Sequence, residues 1–334
     1  MSLSTGTILT MSSHHWLMAW LGLELNTLSI LPLIITPTHP RATEAATKYF
    51  LIQAMAAALI LFASTINAWQ TGHWTIINTT APLATTTIII ALMMKLGLAP
   101  THAWYPEVLQ GSTMATALIL STWQKIAPLT LLYLMNNNLP NNTILCLGTL
   151  SAIVGGWAGL NQTQTRKIMA FSSIAHMGWL SIAVNINLDI TTTTFIIYTI
   201  LTSTMFMSFI TLTTKTLTDL GTAWSQAPGL TTMVLATLIA LGGLPPLSGF
   251  LPKWLILSSL CHMNLLLLGS FMAAASLPSL FFYMRMAYLT TLTTPPNVTT
   301  TQHKWRHKPT MPQLLAPALM MATLLLPLAP MMVT

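Results

Sequence analysis

Residues 228–260 read PGLTTMVLATLIALGGLPPLSGFLPKWLILSSL. The stretch is apolar almost throughout, yet it cannot be one ordinary helix. At 1.5 Å per residue it would be about 50 Å long, against about 30 Å of hydrocarbon in a bilayer. Gly242, Gly243, Pro245, Pro246, Gly249 and Pro252 interrupt its middle, and Lys253 follows them. Glycine permits left-handed backbone and proline removes an N–H donor, so a break is expected near Gly242–Pro246. Residues 82–100, PLATTTIIIALMMKLGLAP, carry a milder form of the same feature: Lys95, then Gly97 and Pro100. Unwound backbone inside a membrane is tolerated only where protein buries it or a wet cavity borders it. Paired interruptions in two halves of a chain mark repeat-built transporters. An ordinary proline kink is the plainer alternative.

The rest of the composition agrees with a membrane chain. Of 334 residues, 53% are hydrophobic and only 5% charged, and mean hydropathy is +0.68. Soluble proteins carry about 25% charged residues, so this chain could not cover a water-facing surface. The reading is an all-α polytopic protein forming a single membrane domain over 1–334. Eleven spans are expected, at 1–12, 14–35, 46–68, 82–100, 113–135, 143–160, 167–185, 190–214, 228–260, 263–290 and 311–333. The fourth and ninth are the two broken helices. Approximate repeats over 1–140 and 141–290, followed by a C-terminal helix at 311–333, are expected. The first residues, MSLSTGTILTMSS, lack the basic region and cleavage site of a signal peptide.

A net charge of +7 on a soluble protein would suggest nucleic acid. Here the cations are scattered between apolar spans without a basic stripe, so no nucleic-acid partner is expected. Cys146 and Cys261 have no Cys or His at ligand spacing and read as buried thiols. No phosphate-loop, dinucleotide, zinc or iron–sulfur motif occurs.

Nine of the twelve Lys and Arg fall at the connections after even-numbered spans or at the same end of span ten: Arg41, Lys48, Arg166, Lys167, Lys215, Arg285, Lys304, Arg306 and Lys308. Such asymmetry is the positive-inside pattern. It puts the N-terminus on the positive side and the C-terminus opposite. Trp69, Trp74, Trp104, Tyr105 and Trp305 lie near span ends and read as interfacial anchors.

The remaining three cations are Lys95, Lys125 and Lys253, each within an apolar run, and Glu24 is placed the same way. A lysine at the bilayer centre costs about 2.5–3.5 kcal/mol, so three cost on the order of 10 kcal/mol. Snorkelling toward the headgroups is the alternative that function must beat. Burial makes lysine and carboxylate charges responsive to one another. At an effective dielectric of 20, an opposite pair gains about 4 kcal/mol at 4 Å and about 2 kcal/mol at 8 Å. Glu24 beside a lysine is therefore a plausible proton switch, with the closest approach expected to Lys95. Each buried charge should have a polar neighbour or water within reach. His176, in FSSIAHMGWLSIAV, is the histidine deepest in a span. It could relay protons or serve as a hydrogen-bonded packing residue, and both readings stay open.

The runs WLGLELNTLSILPLI, RATEAATKYFLIQA, MMKLGLAPTHAWYPEVLQGS, STWQKIAPL, GGWAGLNQTQTRKIMAFSSIAHMGW and LGGLPPLSGFLPKW resemble subunit 2 of vertebrate mitochondrial NADH:ubiquinone oxidoreductase, respiratory complex I, and its family of antiporter-like membrane subunits. The resemblance covers essentially the whole chain. It implies inverted repeats with discontinuous helices, similar to Mrp-type cation/proton antiporter subunits without their first three helices. It implies that Glu24, Lys95, Lys125 and Lys253 handle protons, with His176 a weaker carry-over. It implies no cofactor in this chain: NADH, flavin, iron–sulfur clusters and ubiquinone belong to other subunits. The expected partners are the other membrane-arm subunits and lipids, cardiolipin being a candidate, in the mitochondrial inner membrane. The chain is expected to begin about ten residues later than its relatives, leaving span one incomplete.

Two other classes compete: a free-standing cation/proton antiporter, and a structural subunit whose lysines are relics. On the leading reading, loops 36–45, 161–167, 215–227 and 293–310 face the matrix. Protease or label access to 293–310 from the intermembrane-space side of intact inner membranes would overturn that orientation.

Overall fold

The computed structural model describes residues 1–291 and 312–328. It is a bundle of helices: α1 (Ser2–Met11), α2 (Trp16–Ile35), α3 (Pro40–Thr71), α4 (Pro82–Leu96), α5 (Trp104–Gly111), α6 (Met114–Ser121), α7 (Ile126–Leu134), α8 (Asn141–Gly159), α9 (Thr165–Ile186), α10 (Leu188–Thr211), α11 (Leu217–Gln226), α12 (Pro228–Gly242), α13 (Phe250–His262), α14 (Leu266–Thr291) and α15 (Leu315–Leu324). Among the described residues there is no strand, only isolated bridges of His15 with Thr75 and of Gln164 with Thr216. Seven segments are long and apolar enough to cross a membrane: α2, α3, α6–α7, α8, α9, α10 and α14. The remaining expected spans are shorter helices. The first is the 10 residues of α1, about 15 Å long. The fourth and ninth are each split in two, and the eleventh is described only through α15 and the turn after it. The central helix is α9, whose apolar window is 89% buried against 33% for α14.

Both expected breaks are present and end alike. Helix α4 stops at Gly97, whose φ of 75° is left-handed, with Gly97 N–H donating to Met94 O at 3.2 Å and Leu98 N–H to Met93 O at 3.0 Å. Helix α12 stops at Gly243, φ 78°, with Gly243 N–H donating to Ala240 O at 2.9 Å and Leu244 N–H to Ile239 O at 3.4 Å. These paired 5→2 and 6→1 bonds close a helix on a glycine that bears no Cβ penalty. A short segment, with Pro100 exposed in the first break and Pro245 and Pro246 exposed in the second, then leads into a second helix, α5 or α13.

A third break lies at 122–125, where one continuous span was expected. The N–H of Lys125 bonds to Thr122 O at 3.4 Å, three residues back, in a short 3₁₀ turn over Trp123–Lys125. The cause is Pro128, which has no N–H for the carbonyl of Gln124 and whose ring crowds it, so the preceding turn tightens. The tighter bond leaves the Ser121 carbonyl without its usual partner, the Lys125 N–H.

Among the described residues, cations of the even-numbered connections meet at one end of the bundle. Lys48 pairs with Glu107 at 2.7 Å and with Glu44. A pocket of about 320 Å³ brings Arg41, Glu44, Lys48, Glu107 and Lys167 together. Arg166 donates to Ser112 O, and Arg285 donates to Leu160 O at 3.0 Å. Lys304, Arg306, Lys308 and Trp305 lie outside the described residues. At the same end, Asp219 caps α11 by accepting the N–H of Thr216 (2.8 Å) and of Lys215 (2.9 Å). Those bonds hold its carboxyl below the usual carboxylate range.

Two expectations are corrected here. Cys146 and Cys261 are exposed rather than buried, on outward faces of α8 and α13. In a bilayer the outer face of a bundle is apolar, so a thiol is at home there. Trp104 and Tyr105 are not interfacial anchors: they are 5% and 2% exposed and pack into the bundle beneath the first break. Trp69, by contrast, is exposed.

Glycine at the second break is required by space. A Cβ on Gly249 would lie 1.8 Å from Ala240 O, backbone that cannot yield without separating α12 from α13. At Gly72, φ 73°, a Cβ would meet nothing within 4 Å. Gly72→Ala should therefore cost only the left-handed penalty, about 1–2 kcal/mol. Gly249→Ala should remove stably assembled protein altogether. Equal thermal stability of the two variants after extraction from the membrane would contradict this packing.

Candidate functional site

Lys95 and Lys125, both buried, and the half-buried Lys253 lie along two small cavities. The first is lined by Asn26, Thr27, Tyr49, Gln53, Lys95 and Lys125, among others, and offers about 20 Å³ of room for water. The second is lined by His176, Trp179, Thr194, Tyr198, Pro252 and Lys253, among others, and offers about 30 Å³. A water needs about 10–15 Å³ and two or more polar partners, so each cavity suits one or two molecules.

Lys95 sits in the last turn of α4 and is 7% exposed. Among the described residues its Nζ has no hydrogen-bond partner, nor do Nδ2 and Oδ1 of Asn26 on the same cavity. The negative end of α4's dipole favours a cation there, by about 0.3–1 kcal/mol and up to about 2 when partly buried. Trp104 crosses from α5 to donate its indole N–H to Met94 O at 3.2 Å, covering a carbonyl beside the break.

Lys125 is 3% exposed and far better supplied. Its Nζ donates to Tyr198 Oη at 3.0 Å. It lies 5.0 Å from the ring centroids of Tyr105 and of Tyr198. A hydrogen bond from a charged donor contributes about 1.5–3 kcal/mol and a cation–π contact about 0.5–2. Together these offset the cost of burying the ammonium. Tyr198 in turn donates to Ser121 O at 3.0 Å, the carbonyl released by the 3₁₀ turn.

Tyr198 also lines the second cavity. Its ring is 5.8 Å from that of His176, and His176 Nε2 meets Tyr283 Oη at 3.3 Å. Lys253, half-buried, donates to Gly242 O at 2.8 Å, and Gly243 lies directly beneath its side chain. Lys253 therefore caps the half-helix α12.

Glu24 is half-buried on α2, with Oε2 accepting from Thr27 Oγ1 at 3.0 Å. Its neighbours on α2, Asn26 and Thr27, line the first cavity with Lys95 and Tyr49. Glu24 forms no ion pair among the described residues, where Lys48 bridges the paired carboxylates Glu44 and Glu107. The five expected residues thus fall into Lys95 with Lys125, His176 with Lys253, and Glu24 beside the first group. Sequence reasoning missed Tyr198, Tyr105 and Tyr283. A tyrosine in the middle of TTTTFIIYTILTSTMF is itself a signal, because a buried phenol needs a partner. Among the described residues, no group of three His, Cys, Asp or Glu could hold a metal ion.

Comparison with known proteins gives a consistent result. The family described as NADH:quinone oxidoreductase/Mrp antiporter, transmembrane, matches residues 13–292, and that described as NADH dehydrogenase subunit 2 C-terminus matches 280–333. NADH-ubiquinone oxidoreductase chain 2 of Xenopus laevis is 49% identical over 100% of this chain and 97% of its own length. The Carassius auratus protein of the same name is 51% identical over 100% and 96%. A chain of respiratory complex I from Thermus thermophilus, solved with bound aureothin, superposes with a TM-score of 0.86 at 26% identity, covering 99% of this chain and 76% of that one. A chain of the Mrp complex from Dietzia sp. shares the fold, with a TM-score of 0.82 at 15% identity over 98% of this chain and 73% of that one. With breaks, buried lysines and relatives in agreement over nearly its full length, the chain belongs to the NADH:quinone oxidoreductase/Mrp antiporter family of membrane proteins, in its NADH dehydrogenase subunit 2 branch.

Proposed function

We propose that the chain is a proton-translocating, antiporter-like core subunit of the membrane arm of respiratory complex I. There it couples NADH-to-ubiquinone electron transfer, performed by other subunits, to proton movement across the mitochondrial inner membrane. The observation that carries this reading is the buried line Lys95–Lys125–Tyr198–His176–Lys253 along two water-sized cavities. Each member can take up or release a proton, and none is repaid by an ion pair. A carrier subunit has reason to bear that cost; a scaffold has little. Its partners are the other membrane-arm subunits and membrane lipid, cardiolipin included. NADH, flavin, iron–sulfur clusters and ubiquinone are held by other subunits.

Two inverted repeats, 1–140 and 141–290, are part of the proposal, and the backbone supports them. Trp16 N–H donates to Trp74 O (3.1 Å) and Ile76 N–H to His14 O (3.1 Å). Thr165 N–H donates to Lys215 O (3.2 Å) and Leu217 N–H to Thr163 O (3.0 Å) in the same arrangement. Helix α1 packs on α2 at Gly6, where a Cβ would meet Gly22 O at 3.0 Å. Helix α8 packs on α9 at Gly155, where it would meet Phe171 O at 2.9 Å. A free-standing antiporter would have the same charges. Relatives near 50% identity over full length, all named as chains of NADH-ubiquinone oxidoreductase, favour the complex I role.

Lys125→Met keeps length and apolar bulk while removing the charge, and a buried cation is a cost rather than a support. Assembly should remain near normal, while quinone-linked turnover and proton translocation both fall at least several-fold. Wild-type turnover and pumping in a fully assembled variant would refute the proton role.

A further inference from the structure

The proton reading leaves unexplained how two separate cavities communicate. The chain's own geometry places one side chain between them. Lys125 faces the first cavity, Tyr198 lines the second, and the bond from Lys125 Nζ to Tyr198 Oη joins them. A carbonyl can only accept, so the Tyr198 hydroxyl proton is committed to Ser121 O. In this arrangement Tyr198 receives a bond from the first compartment and offers none to the second.

We propose that Tyr198 is the gate between the two lysine compartments, closed while its hydroxyl is bonded to Ser121 and open when that bond is released. This rests on the proton-carrying reading above. Release lets the hydroxyl turn toward α9, where His176 lines the cavity with its ring 5.8 Å from that of Tyr198. The transfer then balances. An Nζ–H bond of Lys125 breaks as a new Oη–H bond forms. The original hydroxyl proton leaves Oη for the neutral imidazole of His176, directly or across one water. Lys125 ends neutral, Tyr198 is unchanged, and one positive charge has passed to the second compartment.

The closed state depends on Pro128. Were residue 128 able to donate its N–H to Gln124 O, the turn could relax to a regular helix. The Lys125 N–H would then return to Ser121 O and displace Tyr198. The acceptor that holds the gate shut exists because the helix is interrupted one turn before that proline. The ring contacts play a separate part. Tyr105, its ring centroid 5.0 Å from the ammonium, keeps it at the junction whichever way the Tyr198 hydroxyl points.

Two variants test this in the assembled complex, with Lys125→Met alongside. Tyr198→Phe keeps the ring and removes the hydroxyl. It should assemble, oxidise NADH with a hydrophilic acceptor at the normal rate, and lose quinone-linked turnover and pumping together by fivefold or more. Pro128→Ala removes the proline that frees Ser121 O. It should keep quinone-linked turnover yet lower the number of protons pumped per electron by half or more, because the compartments stay connected. That uncoupling is a readout that a packing role would not produce. Normal pumping in assembled Tyr198→Phe, or an unchanged proton-to-electron ratio in Pro128→Ala, overturns the gate. If Tyr198→Phe does not assemble, Pro128→Ala alone decides. If Lys125→Met is also normal, the proton-carrying reading itself has failed; if Lys125→Met is impaired while these two are normal, only the gate has.

Discussion

A backbone carbonyl stranded inside a membrane must find a donor within the protein, because no water is at hand to supply one. Most of what distinguishes this chain follows from that constraint. The backbone is interrupted at depth in three places. Beside the first break, Trp104 adds a second donor to Met94 O, which already accepts the Gly97 N–H. At the second, Lys253 donates to Gly242 O. At the third, Tyr198 donates to Ser121 O. Each donor comes from beyond the interrupted helix, so each break ties separate elements together. Two of the three donors line the second cavity. The interruptions thus do more than bend helices: they fix polar side chains at depths where a continuous helix would have no use for them.

Lys253 makes the resulting ambiguity concrete. Its bond to Gly242 O is what any cation near a helix C-terminus would form. A purely structural account would stop there. Yet that role needs no protonated amine at this depth, since an amide or indole would cap as well, as Trp104 does beside the first break. Lys95 settles the comparison differently. Its partner-free Nζ faces the first cavity and caps nothing. Two lysines near equivalent breaks, one capping and one free, fit a role shared in titration better than one shared in architecture.

Much of this was legible in the sequence. Gly97 and Gly242–Pro246 announced two breaks because few residues other than glycine end a helix left-handed and proline cannot continue one. Lys95, Lys125 and Lys253 announced themselves by the cost of burying them. The third break was visible in principle, since Pro128 stands in plain view, but a lone proline is compatible with a mere kink. Tyr198 could be read as a buried phenol in need of a partner, but which partner could not. Its partners, Lys125 and Ser121, lie more than seventy positions away, and only tertiary packing brings them together. The same gap misplaced Trp104 and Tyr105. Aromatics near a span end usually sit at the membrane surface, but a broken span ends inside the bundle, so its terminal aromatics are buried too. Cys146 and Cys261 were misread through the habit of soluble proteins, in which an apolar residue faces inward.

The size of the cavities sets the character of any conduction. About 20 and 30 Å³ admit one or two waters each, far short of a continuous column between lysines. A proton crossing the bundle must then travel on side chains for most of its path, and each step depends on one rotamer or one charge state. Glu24 acts at this scale. Its carboxylate stands off from Lys95 without an ion pair, held by Thr27 one turn away. A shift of an opposite pair from 8 Å to 4 Å is worth about 2 kcal/mol at an effective dielectric of 20, roughly thirtyfold in the population of the charged lysine. In a water-filled channel that bias would be diluted by solvent. On the proton-carrying reading proposed above, a path of single side chains places that bias on Lys95, and an approach of Glu24 by several ångströms is the movement that would set whether Lys95 holds its charge.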